Sequence, residues 1–521
     1  MLHATFVLVI VGLIGSPSVA ADETAPTAID DAIDSGNQRL FVRPIPGALV
    51  LPSDGTVHPA VIDAFLYLTR SSSPTIVVVG DAAGTPTDQQ WADRGARTVL
   101  RVAANGGLGS TRTAADDERL LQLLSADGIW FAADAPAFDS IPLLRRIIDV
   151  HLDRGRVVGG HGAAARRRLP NTAFHAWDEV PELQPGTLHW EMEPSTAIVA
   201  YAGRRLMGYG SGGMRVHLHN GSASPRVQEL NSVDEFDTVD PLSWSMDLMA
   251  LQRQARAHSN DAAAGTRASA TSAPTIAGGT LFLHGGSGVD DATFERFIAA
   301  AGGRSAAFVC LPVARSFDPD APVESYSASK LRDFGCDDVT ILHTHDPHVA
   351  DRDPRFLAAL DRATGVWIDG GRTFRAMDAL QSTQAAGRIA KILAGGGAVG
   401  GSSAGAQVAG ELLVRGDPRT NQVLLFDGYT QGLGLLPGVV VDAHFRQRNR
   451  GEAFGALVEE HPALLGIGID ERTAIIVQGG VAEVAGSNAI TFYDARPNAV
   501  SGSEELSAGQ RYDMVNRRRL P

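Results

Sequence analysis

Short runs of Val, Ile and Leu alternate along the chain with longer stretches in which apolar residues recur at helical spacing. GALVLPSDG (Gly47–Gly55), GIWFAAD (Gly128–Asp134), GTLFLHGGS (Gly279–Ser287), AAFVCLPV (Ala306–Val313) and GVWIDGG (Gly365–Gly371) are of the first kind. DATFERFIAAAGG (Asp291–Gly303) and AAGRIAKILAGGG (Ala385–Gly397) are of the second. Nearly continuous apolar strands, each followed by an amphipathic helix, predict βαβ units around a mostly parallel sheet covered on both faces.

The pattern occurs twice. Gly47–Gly55 pairs with Gly279–Ser287, Gly128–Asp134 with Gly365–Gly371, RGRVVGGHGAAA (Arg154–Ala165) with GGGAVGGSSAGA (Gly395–Ala406), and the segment from Ser195 with that from Arg472. Order is kept while the offset grows from 232 to 277 residues, as insertions accumulate in the second copy. Such self-similarity predicts two tandem α/β domains, at residues 38–252 and 277–521. Between them, Ala255–Ala277 is rich in Ala, Ser and Thr without apolar periodicity, which sets a linker at residues 253–276.

Composition narrows the function. A chain of 521 residues with a formal charge of −14 is long enough for two large domains and lacks the basic balance of a nucleic-acid binder. Two cysteines, Cys310 and Cys336, make neither a disulfide scaffold nor a zinc finger; they either pair or sit as separate core residues. At the N-terminus, FVLVIVGLI (Phe6–Ile14) precedes Ser18-Val19-Ala20, although no Lys or Arg precedes the apolar run. The arrangement predicts a signal peptide over residues 1–20, cleaved before Ala21, and hence export to a periplasm or the medium. No later segment has the length of a membrane helix. No Walker loop or dinucleotide fingerprint is present, so no cofactor is expected. His343, His345 and His348 have the flavour of metal ligands but lack a partnering carboxylate motif, and His217 and His219 on a strand are weaker still. No metal is expected.

The chemistry concentrates in the second copy. Gly401-Ser402-Ser403-Ala404-Gly405 is a G-x-S-x-G sequence between a strand and a helix. A nucleophile elbow needs small neighbours at its sharp turn, and it sets the serine at a helix N-terminus that favours developing negative charge. His444 follows the apolar run VVVDA (Val439–Ala443) and is the natural general base. An acid must orient it. Glu471, beside Asp470 in an otherwise apolar segment, is the first choice; Asp417 and Asp427, which lie between the serine and the histidine, are the alternatives.

Together TLFLHGGSG, GVWIDGGRTF, GGSSAGA, DAHFRQRNR and GIDERTA resemble, in order, the cyanophycinase and aspartyl-dipeptidase family of serine peptidases, over about Gly279–Gly480. The resemblance implies two doubly wound domains of class I glutamine-amidotransferase-like or flavodoxin-like type, with the serine elbow in the second. It implies Ser403 as nucleophile, His444 as base, Glu471 as acid with Asp417 as the alternative, and an oxyanion hole from Gly370, Gly371 and the N–H of Ala404. It also implies a peptide or polymer substrate bearing aspartyl residues, with Asp442, Arg448, Arg450 and Arg372 on the substrate side, and a monomeric or homodimeric protein. Ala443 and Ala453 depart from the family pattern, as does Arg372-Thr373 after the Gly-Gly pair. An esterase or amidase using the same serine, or an inactive binding protein of the same fold, are the alternatives.

By the same alignment Ser403 falls on Gly162, Ser402 on His161 and Glu471 on Pro194. The first copy is also 36 residues shorter between Ala165 and Ser195, which predicts loss of the His444 segment. The first domain is therefore expected to be non-catalytic, serving as an internal partner that covers a sheet edge or as a polymer-binding module.

Overall fold

The computed structural model describes residues 47–53, 55–103, 114–135, 142–161, 169, 172–179, 183–184, 186–201, 204–218, 226–230, 232–233, 246–255, 273–316, 323–499 and 502–521. The expected signal peptide, residues 256–272 of the expected linker, Gly162 and His219 lie outside them.

In the first half the strands are β1 (Ala48–Pro52), β2 (Thr75–Val79), β3 (Thr98–Val102), β4 (Gly128–Phe131), β5 (Val157–Gly160), β6 (Thr172–Ala176), β7 (Leu188–Met192), β8 (Thr196–Tyr201), β9 (Arg205–Gly210), β10 (Met214–Leu218), β11 (Arg226–Leu230), β12 (Ser232–Val233) and β13 (Met246–Asp247). The second half adds β14 (Thr280–His284), β15 (Phe308–Leu311), β16 (Val339–Ile341), β17 (Gly365–Ile368), β18 (Ala398–Ser402), β19 (Val439–Ala443), β20 (Leu465–Ile469), β21 (Thr473–Gln478), β22 (Val481–Gly486), β23 (Ala489–Asp494), β24 (Ser503–Ser507), β25 (Arg511–Asp513) and β26 (Arg518–Leu520).

The two halves share one topology. The first large sheet runs β3-β2-β4-β5-β1-β8-β9 and the second β16-β15-β17-β18-β14-β21-β22, extended by β25 and β26. In each, the first five strands are parallel and those after them antiparallel. Alternate side chains of the first sheet feed two cores. Val50, Val78 and Trp130 meet Phe65 and Trp91 on one face, while Leu49, Val77 and Phe131 meet Ile147, Leu152 and Trp190 on the other.

Each half also carries a separate four-stranded sheet that the hydrophobic pattern did not predict: β6-β7-β10-β11 and β19-β20-β23-β24. Their matching order and register align β6 with β19 and β7 with β20. This corrects one expectation. The strand leading to His444 is not missing from the first half; Trp177 follows β6 where His444 follows β19. Among the described residues, the turn Arg446–Arg448 and the helix Gly451–Glu460 between β19 and β20 have no counterpart between β6 and β7. In the second half Phe454, Leu457 and Val458 of that helix pack with Val440 and Phe445 over the outer face of the small sheet.

The linker starts later than expected. Residues 248–255 are helical and buried, and within them Arg253 engages the second half. Phe41–Pro521 is one compact unit, and its halves join through buried charge. Asp378 Oδ2 meets Arg204 Nη1 at 2.5 Å, and Asp378 Oδ1 accepts a 2.7 Å bond from Tyr429 and lies 3.2 Å from Arg253 Nε. No strand pair links the two large sheets among the described residues, and the halves meet through this contact. Cys310 and Cys336 are both buried and unpaired.

Candidate functional site

Parallel strands end together at one edge of the sheet, and side chains just beyond their C-termini converge there. β18 lies between β17 and β14, and Ser403 follows it directly at φ 53°, ψ −115°, ahead of the short helix Ala404–Gln407. Left-handed backbone at a serine is costly and calls for surrounding constraint. The Ser403 N–H donates to His284 O at 2.8 Å, and the flanking glycines allow no side chain. A Cβ on Gly401 would lie 2.3 Å from Gly405 O, and one on Gly405 2.1 Å from Ile368 O.

The structure brings Ser403, His444 and Glu471 into one relay. Ser403 Oγ lies 2.8 Å from His444 Nε2, and His444 Nδ1 lies 2.7 Å from Glu471 Oε1. His444 is itself left-handed at φ 50°, held by its N–H bond to Gly285 O at 3.0 Å. Gly286 makes room for the ring, since a Cβ there would sit 2.3 Å from His444 Cε1. Glu471 is fixed from behind: its N–H donates to Gln447 Oε1 at 3.0 Å, and its carbonyl accepts from Asn488 Nδ2 at 2.8 Å. Gly286 and Gln447 sit within the sequence motifs, but neither carries a chemical signal of its own that singles it out.

Burial lowers the proton affinity of His444 first, and the nearby Arg448 and Arg450 lower it further, against the hydrogen bond from Glu471 that raises it. Glu471 is held below the usual carboxylate range by its hydrogen bonds with His444 and Ser287. A base must be neutral to accept a proton, so activity is lost as pH falls through the imidazole's pKa. The acid limb of kcat/KM is therefore expected to have its midpoint below the ordinary histidine value of 6.5. A pH–rate profile checks this; a midpoint above 6.5 contradicts it. His284 beneath the site is pushed down to about 4, chiefly by burial.

Gly370 abuts the serine, with a Cβ placed there only 3.2 Å from Ser403 Cβ. Gly371 presses on Ala314 O, which a Cβ would approach to 2.1 Å. The N–H groups of Ala404 and Gly405 open their helix and have no intrahelical acceptor. Donors from two elements thus flank Ser403.

The remaining expected residues divide. Asp417 does not reach the histidine: its Oδ1 accepts from Arg419 N at 2.8 Å, and Arg419 Nη2 lies 3.3 Å from its Oδ2. Asp442 and Arg450, expected on the substrate side, are buried and not open to a ligand. Asp442 is fully buried and accepts from Gln407 Nε2 at 2.8 Å, Arg415 Nη2 at 3.0 Å and Arg450 Nη1 at 2.5 Å. Arg450 also donates to Ala443 O at 2.8 Å. Arg415 Nε and the Ala443 N–H donate to the same carboxylate, so its two oxygens have no free lone pair and this pair supports the strand carrying His444 rather than receiving substrate. Arg415, which the sequence pattern did not single out, completes it. Arg448 is exposed beside His444 and has no ion-pair partner among the described residues. Arg372 donates to Asp417 O at 2.6 Å, while its Nε is buried without a hydrogen-bond partner. His343 and His345 stack edge to face at 5.0 Å, and His217 Nε2 lies 3.2 Å from Glu191 Oε1. Among the described residues no group of three or more His, Cys, Asp or Glu is arranged to hold a metal.

The profile of Peptidase family S51 matches residues 281–485, the part of the chain that carries this relay. A cyanophycinase from Synechococcus elongatus is 33% identical over 226 residues, covering 43% of this chain and 69% of that relative. A cyanophycinase from Geminocystis herdmanii is 30% identical over 219 residues, covering 41% of this chain and 79% of its own. The chain belongs to peptidase family S51. Among solved structures, a peptidase from an acI-B1 Actinobacterium aligns with a TM-score of 0.36 at 22% identity, covering 46% of this chain and 98% of its own. The S51 match lies wholly in the second half, and as a member of the family the protein is a peptidase of cyanophycinase-like type. No described helix is long and apolar enough to cross a membrane.

Proposed function

We propose that the second half is a serine peptidase that hydrolyses aspartyl or β-aspartyl peptide bonds, as in cyanophycin, through an acyl-enzyme on Ser403. The observation that carries this reading is the continuous relay from Ser403 Oγ through the His444 ring to Glu471 Oε1, at 2.8 and 2.7 Å. Ser403 Oγ attacks the carbonyl carbon while its proton passes to His444 Nε2. The oxyanion is received by the N–H groups of Gly370 or Gly371 and Ala404. The imidazolium, stabilised by Glu471, returns the proton to the departing amine, leaving an ester on Ser403. Water then attacks that ester, gives its proton to His444, and frees the product carboxylate and the serine.

Substrate selection falls to Arg448 and Arg372. Arg448 offers an unpaired guanidinium next to the base, suited to the aspartyl carboxylate. Arg448→Gln is expected to raise KM for an aspartyl substrate about tenfold or more with a smaller change in kcat, as loss of a charged hydrogen bond implies. An unchanged KM contradicts that role. The first half is non-catalytic in this reading, because Trp177 and Pro194 stand where the second half has His444 and Glu471. The protein is exported, on the strength of the apolar run and small-residue site before Ala21.

The test is incubation of the full chain with insoluble cyanophycin and with β-aspartyl-arginine peptides, following released product by mass spectrometry. Release that vanishes in Ser403→Ala is the expected result. Equal hydrolysis of neutral peptides, or of simple esters without regard to a carboxylate, overturns the aspartyl assignment.

A further inference from the structure

One side chain at the junction of the halves gathers unusual charge. The Phe374 ring, in the first turn of the helix Thr373–Leu380, has three guanidiniums within 5.4 Å of its centroid. Arg204 of the first half lies at 4.8 Å, and Arg372 and Arg375 of the second at 5.3 and 5.4 Å.

Their charges are not evenly balanced. Arg204 is neutralised by Asp247 and Asp378, and Arg253 shares Asp378. Those two carboxylates are thereby committed to two guanidiniums. Arg372, Arg375 and the exposed Arg205 of the first half have no carboxylate at ion-pair distance among the described residues. Among the described residues Arg372 has the Asp417 carbonyl as its acceptor and its buried Nε has none; burial lowers its proton affinity and the Asp417 charge raises it. Burial lowers the proton affinity of Arg375, and the neighbouring Arg372, Arg204 and Arg205 lower it further, against the charge of Asp378, which raises it. Like charges held together at partial burial repel each other, and an anion relieves that repulsion.

We propose that Arg372, Arg375 and Arg205 form a carboxylate-binding subsite, built jointly by the two halves, for an acidic peptide extending away from Ser403. Its position fits a substrate track. Arg372 follows Gly371 directly, Gly370 lies against Ser403, and Arg375 lies one helical turn farther on, sharing the Phe374 ring with Arg204, the residue just before Arg205 and β9. Arg448 marks a separate carboxylate position beside His444. The preferred ligand then carries several carboxylates in succession, and the first half contributes binding, through Arg205, to a reaction performed in the second. That the acidic chain is aspartyl rests on the aspartyl reading above; that the cluster binds a polyanionic peptide does not.

Binding separates the two claims. In the full chain carrying Ser403→Ala, fluorescein-labelled hexa-aspartate is followed by anisotropy at low ionic strength. Adding Arg375→Gln is expected to weaken Kd about tenfold and Arg205→Gln about threefold, with Arg375→Lys retaining most of the affinity. The differences shrink at high salt, and a neutral hexapeptide does not bind. The exposed position of Arg205 makes its variant a readout free of folding effects. The proposal is overturned if hexa-aspartate does not bind, or if both glutamine variants bind it within twofold of their parent. Tight charge-dependent binding, with no cleavage of aspartyl peptides by the protein that keeps Ser403, overturns the substrate reading and leaves the subsite standing.

Discussion

Ser403→Ala is expected to lower kcat/KM for peptide hydrolysis by about 10⁴- to 10⁶-fold, with substrate binding little changed. The size follows from what the side chain does. Its Oγ is the group hydrogen-bonded to His444 Nε2, at 2.8 Å, and among the described residues no other hydroxyl bonds to that nitrogen; Ser287 meets Glu471 and Ser402 belongs to β18. His444→Ala is expected to cost nearly as much, and the double variant little more than either alone, because the residues act as one unit. Additive losses in the double variant would mean that the serine works without the imidazole. Steady-state kinetics of the three variants checks this.

Glu471→Gln should be the next most damaging change, with kcat falling by up to about 10⁴-fold, whereas Asp417→Asn should leave the chemical step within a few-fold of the parent. Glutamine keeps the shape but presents an amide to His444 Nδ1, which can hold the ring in the wrong tautomer. It also removes the partner that raises the imidazole's proton affinity, so the acid limb of the residual activity should move to lower pH. Asp417 is instead bonded to the Arg419 main chain and guanidinium. A large kcat loss in Asp417→Asn, together with a mild effect of Glu471→Gln, would reverse the assignment of the acid.

Much of this site is legible in the amino-acid sequence because its geometry demands particular residue types. The turn at Ser403 admits only glycine at Gly401 and Gly405, where backbone carbonyls lie within 2.3 Å of any added Cβ, so it leaves a pattern. A histidine and a glutamate ending adjacent strands likewise stand out against apolar runs. The inner parallel strands of each large sheet are readable for the same reason, being buried on both faces, while the edge strands β3 and β16 are only half-buried. The small sheets are not. Their strands interleave with those of the large sheets along the chain, with β20 and β21 separated by three residues, and periodicity alone does not say that neighbouring strands belong to different sheets.

The arginines mislead for a different reason. Arg448 and Arg450 are two positions apart in one basic segment, yet one is exposed and the other turns into Asp442 and Arg415. The left-handed Asn449 between them, at φ 50°, reverses the chain, and no local pattern announces which guanidinium faces inward. The apparent loss of the His444 segment in the first half has a similar origin. A shortened connection hides the equivalence of β6 and β19, which appears only through their matching pairing with β7 and β20.

The most direct test of the account is covalent labelling of the purified protein with a fluorophosphonate, followed by intact-mass measurement and peptide mapping. A single adduct on Ser403, formed slowly or not at all in His444→Ala, is the predicted result. No adduct, or an adduct on another residue with Ser403 unmodified, contradicts the central claim that Ser403 is a nucleophile activated by His444.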